Sequence, residues 1–306
     1  MSETPAVSAA TLMQRAALAA IVTAVSLAGI KLVAWWWTGS VAMLASFADS
    51  ALDLGASGLN ALAIRAALAP ADWEHRFGHG KTEAVAGLAQ AALMTGSAAF
   101  LIWESIGRLL APEPISNGAL GVGIAVVSIA ATLALTLYQR HVIRATGSLA
   151  VSADHLHYVT DLASNAAVVV ALGLAVWLGL AWADGAFGIL IAAVIGWSAF
   201  SIARQSLDQI LDRELPEEDR ARIKAAAAAV PGVLDVHDLR TRQSGTQVFI
   251  QLHAVFDGAM SLEDAHALSD RVEDAVSLAF PNAEVLVHSD PSTVLEARRP
   301  LAFVST

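Results

Sequence analysis

VAMLASFADSALDLGASGLNALAIRAALAPADWEHRFGHGK, residues 41–81, is an apolar helical run that ends in a polar, histidine-bearing loop. Asp49 and Asp53 interrupt the run four residues apart, a spacing that puts both carboxylates on one face of one helix. The run is long enough to cross a bilayer, since about 20 helical residues span roughly 30 Å. A carboxylate near the bilayer centre costs about 2.5–3.5 kcal/mol on insertion scales. Two on one face therefore require a bound cation, shared protons or a water-filled cavity, and the rest of the chain has to supply the remainder of that site.

Composition says which kind of protein surrounds it. Of 306 residues, 56% are hydrophobic and only 15% charged, with a mean hydropathy of +0.58, as expected of a membrane protein. The net charge of −10 is concentrated after Leu207 and argues against a nucleic-acid partner. With no cysteine, any transition-metal site must use His, Asp and Glu. The first eleven residues are small and polar, without a basic segment and cleavage site, so the first apolar segment reads as a retained span.

Six apolar runs follow, near 13–35, 41–69, 82–108, 118–139, 148–179 and 185–206, parted by turn signals such as Thr38-Gly39, Pro70-Ala71-Asp72 and Asp184-Gly185. Six spans return both termini to one side. Arg65, Arg76, Lys81, Arg140 and Arg144 fall in or beside the loops of that side, which the positive-inside rule makes cytoplasmic. Beyond the spans, the pattern alternates as helix, strand, strand, helix, strand. Ser261 is a good N-cap, with Asp264 at the third position. The expected fold is an α-helical membrane protein with six transmembrane helices, followed by a small cytoplasmic α+β domain of order αββαβ. Its parts are a polar tail at 1–11, the membrane domain at 12–207, the α+β domain at 208–291 and a second tail at 292–306.

The partners of Asp49 and Asp53 come from the fifth run, where His157 and Asp161 are again four apart. Three carboxylates and one imidazole suit a tetrahedral divalent ion, above all Zn²⁺, better than Ca²⁺, which needs an oxygen cage. Asp154, three residues before His157, is a candidate for the same path, whereas His155 points to roughly the opposite face. These ligands also bind protons, so metal and protons compete for them. In the loop, Asp72, His75 and His79 form a compact candidate metal site, with Glu74 beside them. Lys81 starts a helix, where a base is unfavourable to the dipole, and Asp212 is a candidate carboxylate to offset it. The C-terminal domain gathers His237, His253, His266, His288 and Asp290, a candidate binuclear metal cluster. No nucleophile has an evident base and no phosphate-binding GxxxxGK[ST] loop is present, so neither an enzyme, an organic cofactor nor ATP-driven transport is expected.

SFADSALDLGASGLN, PADWEHRFGHGKTEAVAGLAQ, HYVTDLASN, ILDRELP, HDLRTRQSG, AHALSDRVE and VLVHSDP together resemble the cation diffusion facilitator family, especially its bacterial YiiP/FieF-type zinc and iron exporters, over about residues 12–291. The resemblance implies a homodimer in the bacterial inner membrane with both termini cytoplasmic, exporting metal against protons by alternating access. It places the transport site on Asp49, Asp53, His157 and Asp161, and a peripheral site on Asp72, His75 and His79. It places the cytoplasmic binuclear site on His237, His253, His266, His288 and Asp290, and a charge interlock on Lys81 and Asp212. Ser289 departs from the pattern, since close relatives have a glutamine able to assist ligation there. The expected activity is Zn²⁺/H⁺ antiport, with Cd²⁺ and Fe²⁺ as further substrates. The alternatives are a passive divalent-metal channel, which does not need a four-ligand site, and a membrane-anchored metal sensor or scaffold, which leaves the intramembrane residues unexplained.

Overall fold

The computed structural model describes residues 8–38, 41–110, 119–178 and 183–293. The chain divides into two compact units, one ending at Ile210 and the other beginning at Leu211.

The first unit is six long helices: α1 (Ala9–Thr38), α2 (Val41–Ala67), α3 (Thr82–Leu110), α4 (Ala119–Thr146), α5 (Leu149–Leu178) and α6 (Ala183–Ile210). The helix α1 starts at Ala9, inside the stretch expected to be a tail. The Ser8 hydroxyl accepts from the Thr11 backbone N–H at 3.3 Å, which satisfies one of the amide groups that a helix start leaves unpaired. Near one end of the bundle, Met13 and Ala17 of α1, Ile64 of α2, Val142 of α4, and Ala150 and Val151 of α5 share one buried cluster. At α3 and α6, the Lys81 ammonium donates to the Ile210 carbonyl at 3.2 Å. The odd-numbered helices therefore start, and α2, α4 and α6 end, at a common face.

The unit is apolar outside and small or polar within. Leu18, Val22, Val25, Trp36, Trp37, Phe100, Trp103, Leu190, Trp197 and Phe200 are exposed, while Ser57, Asn60, Gln90, Ser105, Thr132 and Gln139 are buried. That inversion suits a hydrocarbon solvent, in which small residues let helix backbones approach. Among the described residues, four helical segments are long and apolar enough to cross a membrane by themselves: Ala9–Trp37, Thr82–Gly107, Val126–Thr146 and Gly188–Ile210. The protein is thus an α-helical, multi-pass membrane protein with a small C-terminal α/β domain.

That domain is built from α7 (Glu217–Ala228), β1 (Asp235–Ser244), β2 (Gln247–Phe256), α8 (Leu262–Ala279) and β3 (Ala283–Pro291). The sheet runs β1-β2-β3, with β1 antiparallel and β3 parallel to β2. Gly245, at a φ of 61°, makes the β1–β2 turn in the left-handed region open to glycine. Period-two alternation on β2 buries Ile250, Leu252, Ala254 and Phe256 against Ile223 and Ala227 of α7 and Leu268, Val272 and Val276 of α8. Ser261 caps α8 by accepting from the Asp264 N–H at 3.1 Å. The helices cover one face of the sheet, which leaves Phe249, Gln251 and His253 to the other.

A glycine marks a close approach of α3 and α6: a Cβ placed on Gly188 of α6 would lie 3.1 Å from the Ser105 Cβ of α3. A Gly188→Val substitution should force α3 and α6 apart and cost about 1–3 kcal/mol of stability. A thermal melt in detergent should show a lowered midpoint relative to the wild type.

Candidate metal centres

Three clusters of ligand-type side chains form among the described residues: Asp53–His157–Asp161, Asp72–His75–His79 and His237–His253–Asp290. In each, one donor atom per residue lies within 4.8 Å of the others. Donor atoms around a tetrahedral ion with bonds of 2.0–2.1 Å lie about 3.3 Å apart, so spacings can be compared with that value.

The first cluster lies where α2 meets α5. Its placement starts at the α4–α5 turn. Gly147, at a φ of 65°, closes α4 by donating its N–H to the Ile143 carbonyl at 2.8 Å. Ser148 then opens α5, its hydroxyl accepting from the Val151 N–H at 3.3 Å. The buried Glu83 of α3 clamps this start, accepting from the Ser148 hydroxyl at 2.6 Å and the Ala150 N–H at 3.2 Å. An anionic side chain at the positive end of a helix dipole is favourably placed. Two turns further along α5, His157 Nε2 lies 3.1 Å from Asp53 Oδ1 and 3.4 Å from Asp161 Oδ2. The His157 side chain is only 12% exposed. The Asp49 side chain lies outside the described residues.

Asp154 stands apart from that trio, with Gln139 and Ser57 as its partners. His155 is half-buried, its Nδ1 without a hydrogen-bond partner among the described residues. Sequence reasoning passed over the Glu83 clamp, because an acidic residue in a first helical turn is ordinary by itself.

The loop cluster is exposed. The Asp72 Oδ1 accepts from the N–H groups of Glu74 and His75 at 2.9 and 2.6 Å, an Asx turn that folds the chain back. Gly78, at a φ of 76°, reverses it again and brings the His79 ring to 4.5 Å from that of His75. His75 Nδ1 and His79 Nε2 then face different oxygens of Asp72 at 3.2 and 3.3 Å. The His75 N–H, aided by that of Glu74 and the His75 ring and opposed by desolvation, holds the Asp72 carboxyl below its ordinary value of 3.8. A depressed folded value means that the turn's stabilisation is complete above that ordinary value. It is lost only as pH falls through the lower one. The Glu74 carboxylate is not part of the cluster.

In the C-terminal domain, strand register does the assembly. His237 pairs with His253 across β1–β2, and His253 with His288 across β2–β3, so three imidazoles share one rung. Asp290, two residues past His288 and 8% exposed, serves all three. Its Oδ2 lies 2.9 Å from His253 Nδ1 and 3.4 Å from His237 Nε2, and its Oδ1 lies 3.3 Å from His288 Nε2. His237, His253 and Asp290 could together hold a nitrogen/oxygen-ligated ion, with His288 beside the other oxygen of Asp290. A bulge between His237 and Arg240 sends Asp238 to a φ of 45°, which brings its Oδ2 to 3.7 Å from His253 Nε2.

One expected participant stands elsewhere within the protomer. His266 is 77% exposed and pairs with Asp270 at 3.8 Å. Leu268, Val272 and Val276 form the stripe of α8 that packs on the sheet, and a residue two before Leu268 is turned some 200° from it. The Ser289 hydroxyl bonds to that of Ser269 at 2.7 Å, so it ties β3 to α8. Lys81 holds the carbonyl end of α6, as described above, a favourable place for a cation. Asp212, in the second unit, has a φ of 55° and lies 3.6 Å from Arg242 Nη1.

Comparison with known proteins covers nearly the whole chain. Residues 17–211 match the family model described as "Cation efflux transmembrane domain", and residues 215–292 match "Cation efflux protein, cytoplasmic domain". The "Cation-efflux pump FieF" of Shewanella oneidensis is 50% identical over 279 residues, 91% of this chain and 94% of that protein. The protein of the same name from Klebsiella pneumoniae is 45% identical over 286 residues, 94% of this chain and 95% of its own. The solved structure "MamM-CTD 215-293" is 30% identical, covering 24% of this chain and 96% of its own, with a TM-score of 0.24.

Two outcomes follow from the exposed and the strand-borne clusters. Replacing Asp290 with Ala should abolish zinc binding by the C-terminal domain, seen as a lowered stoichiometry in calorimetry of the full chain. Asp72 stays charged throughout mildly acid conditions, so an Asp72→Asn variant should keep the wild-type shape of loop zinc affinity against pH between 5 and 7 while binding more weakly at every point.

Proposed function

The chain belongs to the cation efflux, or cation diffusion facilitator, family, and from that premise we propose that it exports divalent metal from the cytoplasm in exchange for protons. It is a carrier rather than an enzyme, works as a homodimer in a lipid bilayer, and takes Zn²⁺ as its foremost substrate, with Cd²⁺ and Fe²⁺ accepted by the same donors. In this reading all six long helices cross a bacterial inner membrane, with both termini cytoplasmic. The support is the common face on which the odd helices start, next to Arg15, Arg65, Arg140 and Arg144.

The observation that carries the proposal is His157 Nε2 facing Asp53 Oδ1 and Asp161 Oδ2 at 3.1 and 3.4 Å inside an apolar bundle. Those spacings are close to the edge of a zinc-sized tetrahedron. The family resemblance adds Asp49, four residues before Asp53, as the fourth donor of the transport site. With metal as substrate, His157 is neutral and the carboxylates are charged. Without it, the same atoms hold protons, because charged ligands in an apolar bundle need some cation. Metal and protons are thus alternative occupants. Exchange follows when the site opens to one side at a time, whereas a passive channel would have no use for a clustered, slowly releasing site.

The domain assignment follows. Residues 12–207 form the transport domain and 208–291 the metal-binding cytoplasmic domain, flanked by residues 1–11, the last three of which already belong to α1, and by a tail at 292–306. In the cytoplasmic domain His237, His253 and Asp290 hold one ion, and His288 is the ligand on the other side of Asp290. His266 enters this set on the family resemblance alone. Resident Zn²⁺ there supplies cross-linking across the three strands. The loop trio Asp72, His75 and His79 is a peripheral cytoplasmic site. Lys81 and Asp212 are the charge interlock that the family resemblance implies.

Sealed liposomes containing the purified protein and a zinc dye test this reading. An imposed pH gradient should drive Zn²⁺ flux, and Asp53→Ala should lower it by about a hundredfold or more. Flux indifferent to both the gradient and the mutation would overturn the exchange mechanism.

A further inference from the structure

Asp154 is a carboxylate that the four-ligand site does not use. It is 1% exposed, on α5 and one turn before His157. The Gln139 Nε2 of α4 donates to its Oδ2 at 2.7 Å, and the Ser57 hydroxyl of α2 donates to its Oδ1 at 3.4 Å. The Ser57 hydroxyl is also 2.8 Å from the Tyr158 hydroxyl, which lies 3.5 Å from the Ala20 carbonyl of α1. The neighbouring titratable groups are His157 and Tyr158 on the same helix and Asp53, one turn from Ser57 on α2. From α1 a carbonyl faces the cluster, and from α4 an amide. Glu83 of α3 is engaged at the start of α5. No Lys or Arg pairs with Asp154 among the described residues.

A buried carboxylate locked for structure is normally paired with a cation or with fixed backbone donors. Asp154 has only partners that can reverse. The Ser57 and Tyr158 hydroxyls each donate or accept on rotation. The Gln139 amide has one polar atom bonded to Asp154, while its Oε1 is buried without a partner. Turning that amide over presents an acceptor in place of a donor, which is what a protonated Asp154 needs. The pocket can therefore satisfy the charged and the neutral acid in turn, and an orphaned amide oxygen is what remains when it serves only one state.

Location adds direction. Ser57 is four residues after Asp53, and Asp154 is three before His157. Both steps lead along α2 and α5 towards the common face where α2 ends and α5 begins. We infer that Asp154, served by the Gln139 amide, is a proton-carrying residue between the metal site and that face, outside the ligand set. The inference rests on the proposed exchange. A proton displaced from the metal site as metal arrives is taken up by the Asp154 carboxylate, which becomes the neutral acid. The acid then passes its proton to water at the common face and returns to carboxylate, and the metal site takes a replacement proton from the opposite side when the metal leaves, so that charge and protons balance over the cycle.

The test compares Zn²⁺ flux in proteoliposomes across a series of internal and external pH values for wild type, Asp154→Asn, Asp154→Glu and Gln139→Leu. The expected result for Asp154→Asn is retained zinc binding by calorimetry, exchange slowed about a hundredfold, and a flattened pH profile. Asp154→Glu should restore both. Asp154→Asn working at the wild-type rate, or slowed with the wild-type pH profile intact, would overturn the inference. Should Asp154→Asn fail to fold, Gln139→Leu decides, because it keeps the carboxylate and removes the reversible amide. Slower exchange with a displaced pH profile is expected, and wild-type rate and profile would overturn it. Absence of any wild-type flux under a pH gradient would instead defeat the exchange reading itself.

Discussion

An imidazole held between two carboxylates inside an apolar helical bundle is the interaction on which the rest of this structure depends. Charged groups in such surroundings are costly, and the cost falls only when a cation or protons join them. His157, Asp53 and Asp161 meet because α5 begins at a fixed place. Gly147 ends α4, Ser148 caps α5, and Glu83 pins that start from α3. A shift of α5 by one residue would turn His157 by about 100° and dissolve the cluster. The clamp at the helix start and the site within the bundle are therefore parts of one geometry.

The three candidate metal centres use one chemistry at different degrees of burial. In the bundle, scarcity of solvent makes metal and protons alternatives. In the loop, the carboxylate is fixed by backbone N–H groups, which hold it below its ordinary value. On the sheet, the rung of His237, His253 and His288 is set by strand register, and Asp290 joins it from two residues further along β3. An ion there would tie together strands that are already hydrogen-bonded, a stabilising role rather than a moving one.

What could be read from the sequence was whatever local spacing determines. Asp53, and the His157/Asp161 pair, announce themselves as ionisable groups at i,i+4 in apolar helices. The order αββαβ and the Ser261 cap follow from period and capping chemistry. The features that needed the structure depend on which helix lies beside which. Gln139 meets Asp154 only because α4 and α5 fold back at Gly147, and nothing around Gln139 marks it. His266 was read into the cluster with the strand histidines, and the Leu268–Val272–Val276 stripe sets the face of α8 and leaves His266 exposed beside Asp270. Ser289 looked like a weakened ligand position and instead bonds to Ser269. The start of α1 at Ala9 was hidden because small residues such as Ala9 and Ala10 give a tail and a helix the same signature.

The central claim is that metal and protons occupy the same atoms of the bundle in turn. The most direct measurement is a zinc titration of detergent-purified protein carrying Asp72→Ala and Asp290→Ala, with a pH-indicator dye recording protons in weakly buffered solution. The account predicts proton release in step with zinc binding, both lost when His157→Ala is added. Zinc bound at the remaining site without proton release, or release that persists in the absence of His157, would contradict it.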